Sequence, residues 1–416
     1  MKNLILLILL LFVLSVHAVE INFSVKVQAE CIDAPISISL IDLNLPLDPD
    51  SIVLYELTNG EEIEVEFQVE ASSSPRLWFI LDGVSPENSK RKFSIQRCTG
   101  MNEDEKSEFN LSKTGDDIVI SHQEKTVLKY RHSTMFPPDG VNPLFKRSGF
   151  IHPLNSPGGE ELTRVQAPDH YHHYGIWGPW TLTKIDGREV DFWNLAKGQG
   201  TVKFASILSG ISGEVYTGFK VLQQHIDFGN KGEDQIALNE VLEVRAWNVS
   251  PEVWVIDYIS TFNSPLPNGI LFDAYRYGGG IGFRATEKWM KENSTILTSE
   301  GKTRLDADGS RARWYIVEGE SAVPEKRSGI LFMSHPVNRE HPEPMRVWPM
   351  DAGEGRGDLF VEYVPIRHEP WTIEPFQDYT LYYRMIVFDG EIGKDTAEAY
   401  WNSFAKAPWI DIEYNR

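Results

Sequence analysis

From residue 20 to about residue 390 the chain is written in short apolar runs broken by Pro, Gly, Asp and Asn. No convincing helical period appears before Asp395. The clearest run, Glu62-Ile63-Glu64-Val65-Glu66-Phe67-Gln68-Val69-Glu70, alternates polar and apolar residues. Successive side chains of an extended chain point to opposite faces, so this period of two predicts a half-buried antiparallel strand. Shorter runs at Pro35–Ile41, Ile52–Leu57, Leu77–Leu81 and Lys92–Gln96 accompany it. Together they predict a small β-sandwich over residues 19–105. The polar stretch Thr99–Lys106 has no apolar period and reads as the linker.

A longer series of β runs follows: Ile118–Ile120, Gly200–Ser206, Val215–Val221, Gln235–Trp247, Glu252–Phe262, Arg313–Val317, Gly329–Met333, Phe360–Tyr363 and Tyr379–Phe388. So many strands without helices between them predict a large antiparallel sandwich or barrel over residues 106–416. Asp395 as N-cap, Glu398 three residues on, and Ala399, Tyr400 and Phe404 on one face predict a single short C-terminal helix. The fold class is all-β: a small N-terminal sandwich, then a large antiparallel supersandwich.

Charge narrows the partners. Among 416 residues, 60 are acidic and 40 basic, a formal charge of −20 that repels a phosphate backbone and argues against nucleic acid. Residues 1–18 carry Lys2, the apolar run Leu4–Leu14 and Val16-His17-Ala18, the pattern of a signal peptide cleaved after Ala18. The competing reading, a membrane anchor, needs roughly 20 apolar residues, more than this run supplies. A periplasmic or secreted protein is therefore expected, with no membrane span after cleavage. Export permits a disulfide between the two cysteines, Cys31 and Cys98, which would constrain the unfolded chain by roughly 4 kcal/mol. Two buried free thiols are the alternative.

Chemistry concentrates in one segment. His152, His170, His172 and His173, four of eleven histidines, fall within 22 residues of Pro- and Gly-rich sequence that reads as loop. In extended backbone His170 and His172 point to one side, the spacing of an acid/base pair or of two ligands to a divalent metal, with His173 facing away. No third or fourth metal ligand is marked by spacing, and any of these rings is equally suited to bracing a loop. Trp177, Trp193 and Trp348 lie beside polar, Gly/Pro-rich stretches, where indole faces suit a sugar ring; buried core is the bland alternative. Asp191, the Tyr275-Arg276-Tyr277 run, Arg284, Arg313, His335 and Asn338 complete the polar candidates.

The segments Gly149-Phe150-Ile151-His152-Pro153-Leu154 and Asp169-His170-Tyr171-His172-His173-Tyr174-Gly175-Ile176-Trp177 resemble the PmoA-like family, often labelled methane oxygenase. The resemblance continues through Asp191-Phe192-Trp193, Tyr277-Gly278-Gly279, Phe283-Arg284, Ala312-Arg313-Trp314 and His335-Pro336-Val337-Asn338, covering roughly residues 125–390. The chain departs from the family pattern at Tyr174, where a basic residue often stands. The resemblance implies a secreted protein of polysaccharide-degrading bacteria with a galactose-mutarotase-like supersandwich. It also implies an activity on oligosaccharides: dehydration at a non-reducing-end uronic acid. Methane oxidation by a membrane copper enzyme needs several spanning helices, which the sequence after the leader lacks.

Such an elimination needs a base, an acid and a cation for the sugar carboxylate. His172 and His173 are the expected proton-transfer groups, with His170, His152 or His335 as complement; Arg276, Arg284 and Arg313 are the expected clamps, and Trp177, Trp193 and Trp348 the sugar platforms. Two other readings compete. A glycoside hydrolase or aldose epimerase would use a carboxylate from Asp191, Glu240 or Glu362 together with a histidine, and in a carbohydrate-binding protein the tryptophans and histidines would only hold the ligand.

Overall fold

The computed structural model describes residues 20–43, 51–97, 107–229, 233–323 and 326–413. The expected leader, the linker at 99–106 and Cys98 lie outside the described residues. Among those residues α-helix is confined to one turn at Leu40–Leu43 and to Lys394–Ala405; the rest of the framework is antiparallel sheet. None of the helices is long and apolar enough to cross a membrane.

The N-terminal sandwich packs a five-stranded sheet against a three-stranded one. The first runs Trp409–Glu413, Glu20–Lys26, Lys90–Arg97, Ile52–Thr58, Glu61–Glu64; the second Cys31–Ser39, Arg76–Ser85, Phe67–Glu70. Phe23, Ile36, Leu54, Phe79 and Phe93 fill the space between them, with Phe23 stacked on Phe93 at 5.4 Å. Two expectations change here. The run 62–70 is two strands, because its halves pair with different partners and the chain crosses between sheets at Val65, whose N–H bonds to the Leu54 carbonyl at 2.9 Å. The boundary at residue 105 also fails as a clean division, since Trp409–Glu413 pairs with Asn22–Lys26 and closes the N-terminal sheet. Cys31 is buried and has no disulfide partner among the described residues, burial pushing its thiol up to about 11; its expected partner Cys98 lies outside them.

The large sandwich is built from sheets of nine and eight strands. The eight-stranded sheet carries the longest strands, Gly200–Ile211, Tyr216–Asp227, Gln235–Ser250 and Val253–Asn263. The nine-stranded sheet includes Phe150–Leu154, Ile176–Trp177, Gly282–Arg284, Phe360–Tyr363 and Glu343–Val347. One apolar core joins them, with Ile176, Phe283 and Val361 from one sheet and Val244, Ile256 and Val387 from the other.

The C-terminal helix begins at Lys394, with Gly393 rather than Asp395 at the N-cap position. Asp395 lies in the first turn, where a carboxylate is still favoured by the helix dipole. Ala397, Tyr400 and Trp401 are buried, while Ser403 and Asn402 bond to the backbone of Ile32 and Glu30 in the N-terminal sandwich. Arg245 makes a second link between the sandwiches: it contacts Glu70 at 3.2 Å and lies 5.2 Å from Trp78, 4.7 Å from Tyr216 and 6.0 Å from Trp247.

Candidate functional site

The histidine segment is a short hairpin rather than a loop. Val165–Ala167 pairs with His170–Tyr174, with Pro168 and Asp169 at the turn. Its register shifts between Val165 and Ala167, and Gln166 sits at φ +47°. Gly175 then turns the chain into the nine-stranded sheet. Its φ is +63°, and a Cβ there would stand 2.3 Å from the Ile151 carbonyl, so only glycine passes. The Gly175 N–H bonds to Arg164 O and its carbonyl accepts from Arg284 N at 2.8 Å, which fixes the hairpin beside Arg284.

This bulged geometry defeats strict alternation. The His173 ring contacts both His170, at 4.9 Å between centroids, and His172, at 4.8 Å, and His170 lies 5.4 Å from His172. Trp177, Trp193, Trp348 and Phe360 surround His173 at 4.9–5.6 Å. His173 is therefore the buried floor, 1% exposed, while His170 and His172 are half-buried at the rim. From Trp193 the aromatic surface continues outward through Tyr277 at 5.3 Å to Tyr275. Phe145 lies 6.4 Å from His172 and 5.6 Å from Tyr171. The indole of Trp193 bonds to the His172 carbonyl at 3.1 Å, tying the two segments together.

Burial dominates the electrostatics. It holds His172 down to about 4, helped by His170, and drives His173 well below the usual histidine range. Both rings are neutral at pH 7. His170 Nδ1 lies 3.0 Å from Asp169 Oδ2 without hydrogen-bond geometry, so the carboxylate acts on that ring by proximity and charge. Arg284, 1% exposed, spreads its guanidinium 4.6 Å from the Trp348 ring and reaches Asp358 at 3.4 Å and Asp169 at 3.5 Å. Around this box His173 Nδ1, Trp177 Nε1, Trp348 Nε1 and Arg284 Nη1 are buried without a hydrogen-bond partner among the described residues. Buried polar atoms are normally paired, so four such atoms in one place mark a site rather than ordinary core.

The other sequence candidates divide. Tyr275, Tyr277 and Arg276, the last 5.2 Å from the Tyr277 ring, sit at the outer end of the aromatic surface. His152 stays apart: its Nδ1 meets Thr163 Oγ1 at 2.9 Å, and it lines a neighbouring cleft with Glu161 and Gln166. Asp191 is a loop brace, fully buried and bonded to Thr181, Trp193 N, Asn194 and Lys197. His335, Arg313 and Asn338 belong to the packing around the C-terminal helix. His335 lies against Phe404, Arg313 pairs with Glu398 beside Trp401, and Asn338 bonds to Glu343 and Tyr382 O. Strand pairing brought them there, which spacing along the chain does not report. Among the described residues no three His, Cys, Asp or Glu side chains are placed to hold one metal ion.

The carboxylates of the hydrolase reading are sealed away. Glu240 is 1% exposed and bound to His225 at 2.7 Å and to Ser260; Glu362 is fully buried on Gly278 N–H. Sequence reasoning passed over Asp358, Arg356 and Arg164. Arg356 stands in the glycine-rich stretch Asp351–Asp358, the one local signal that a backbone packs closely there.

A two-sandwich, all-β protein with an aromatic-floored histidine hairpin beside an arginine–carboxylate cluster is thus defined. The chain belongs to a family described as a family of unknown function, DUF6807, whose profile matches residues 117–402. That span contains the whole site and omits the N-terminal sandwich and its C-terminal strand. No curated protein matches the chain.

Proposed function

We propose that this protein is an exported enzyme that eliminates water, or a 4-linked group, from the terminal uronic acid of an oligosaccharide. The observation that carries the reading is the pairing of two rim histidines of different character over an aromatic floor, with Arg284 beside them. His172 is neutral and able to accept a proton. His170 has the Asp169 carboxylate 3.0 Å from its Nδ1. Indole and phenol faces suit the C–H side of a sugar ring.

In the proposed step His172 takes the C5 proton and the electron pair of that bond moves toward the carboxylate as an enolate. Arg284 offsets the charge. The pair then forms the C4–C5 double bond as the C4–O bond breaks, and His170 protonates the departing oxygen. The products are a 4,5-unsaturated uronate and water or a shortened sugar.

The test is absorbance near 235 nm, about where an unsaturated uronate absorbs, during incubation with uronate-containing oligosaccharides. The expected result is a rise that His172→Ala abolishes while the melting temperature stays within about 2 °C of wild type. New reducing ends without that absorbance would move the assignment to hydrolysis, and ligand binding without turnover to a carbohydrate-binding protein.

A further inference from the structure

Arg284 and Arg356 share two carboxylates that are held very differently. Asp358 is buried, 3% exposed, and lies 2.9 Å from Arg356 Nη2 and 3.4 Å from Arg284 Nη2. Asp169 is at the surface turn of the hairpin, and its distances to the same arginines are 3.5 and 3.6 Å. Charge-assisted bonds of full strength are about 2.7–2.9 Å, so Asp169 sits loosely on the guanidinium groups. Its shortest side-chain contact is instead with His170 Nδ1, at 3.0 Å.

The arginine side of this contact joins a buried group, Arg284, to a half-exposed one, Arg356, at 47%. Arg284 Nη1 is buried with no hydrogen-bond partner among the described residues. The loop that carries Arg356 is pressed onto Asp358: a Cβ on Gly353, at φ +63°, would fall 1.8 Å from Asp358 Oδ2. Both Asp169 and Arg356 line an open cleft of about 640 Å³, together with Arg164, Lys288, Glu287 and Glu354. That volume is in the range of small-molecule sites.

From this geometry we infer that Arg284 and Arg356 form the seat for a ligand carboxylate, and that Asp169 is an internal stand-in which the ligand displaces. The inference takes the identity of the ligand, a sugar carboxylate, from the proposed function; the seat itself rests on the arginine geometry. Displacement leaves Asp169 to His170 alone. An acidic sugar would then both fill the seat and complete the orientation of a proton-transfer histidine, whereas a neutral sugar does neither. Asp169 is in this sense a specificity-determining residue.

The experiment is titration of the full chain with sodium glucuronate, followed by tryptophan fluorescence because Trp348 lies under Arg284, with glucose as the neutral probe. Glucuronate is expected to bind at least tenfold more tightly than glucose, with affinity falling as salt rises. Asp169→Asn should tighten glucuronate binding threefold or more. Glu354→Gln, which removes an equal charge from the same cleft, should change it less than twofold. Arg356→Gln should weaken it about tenfold, and Arg356→Lys, which keeps charge without the fork, by a smaller factor.

Equal binding of glucuronate and glucose, an Asp169→Asn effect no larger than that of Glu354→Gln, or no binding by either wild type or Asp169→Asn overturns the inference. The outcome is separable from that of the elimination assay. The expected variant pattern without an unsaturated product leaves the seat standing and removes the lyase; product formation that ignores Arg356 removes the seat and leaves the lyase.

Discussion

His172 and Glu343 show how burial sets opposite pH responses in one molecule. His172 titrates near 4 in the folded chain and near 6.5 when unfolded, so the proposed base stays neutral over that interval. The acid limb of kcat/KM is therefore expected to fall only as pH approaches about 4, and an acid limb near 6.5 in the pH–rate profile would remove His172 as base. His152 is lowered to about 4 in the same way, by desolvation first. Between those values the unfolded chain binds a proton that the folded chain refuses, so stability falls as pH drops from 6.5 to 4. His152→Gln lies outside the proposed catalytic set; its melting temperature should fall less than that of wild type across this interval. Glu343 has the reverse sign. Desolvation raises it from 4.5 to about 7 despite bonds from Ser334, Asn338 and Tyr383, so its folded form holds a proton the unfolded chain has lost. Its contribution disappears as pH rises from 4.5 to 7. Glu343→Gln should consequently gain melting temperature relative to wild type at pH 8 compared with pH 5, and an equal difference at both pH values would refute the assignment. At this scale the sequence marks His170, His172 and Trp193 by type and neighbourhood. It does not mark Asp191 as a brace or Arg356 as part of the site, because those roles are assigned by contacts across the fold.

Among the elements, most strands of the large sandwich are legible from period and turn residues, since a half-buried strand must alternate whatever it pairs with. The histidine hairpin is not. Pro153, Pro157, Gly158 and Gly159 crowd the sequence before it and Pro168 stands at its turn, so the stretch reads as loop, and its strands are only three and five residues long. Its extended form comes from pairing and from Gly175, both specific to this geometry. The run 62–70 errs in the other direction. Its alternation is continuous, yet Ile63 is 51% exposed because the first half lies at a sheet edge. Edge pairing also carries a test. Ending the chain at Pro408 removes Trp409–Glu413, leaves Glu20–Lys26 as an edge strand paired only with Lys90–Arg97, and exposes apolar surface that Ile410 and Ile412 cover. The cost is expected at about 2–4 kcal/mol, seen as a lower melting temperature and as protease cleavage confined to the N-terminal sandwich. Cleavage unchanged from wild type would show that the strand contributes nothing there.

For the whole molecule, the two sandwiches are tied by the returning C-terminal strand, by the helix through Ser403 and Asn402, and by Arg245 among Trp78, Tyr216 and Trp247. Arg245→Ala leaves Glu70 and Glu243 without their shared cation, a loss of about 3 kcal/mol. Calorimetry should then resolve two transitions where wild type shows one, and a single unshifted transition would mean that Arg245 does not couple the sandwiches. The sequence by itself determined the all-β class, the places of most strands and the helix, and the concentration of histidine and tryptophan chemistry near residue 170. These follow from local rules: the period of an extended chain, the conformational preferences of Pro and Gly, and the residue types a reaction needs. Tertiary structure alone decided that His173 lies beneath its neighbours, that His335, Arg313 and Asn338 belong elsewhere, and that Arg284, Arg356, Asp169 and Asp358 meet beside the histidines. The reason is that strand pairing joins residues nearly two hundred positions apart, and neither spacing nor composition encodes which edges will meet.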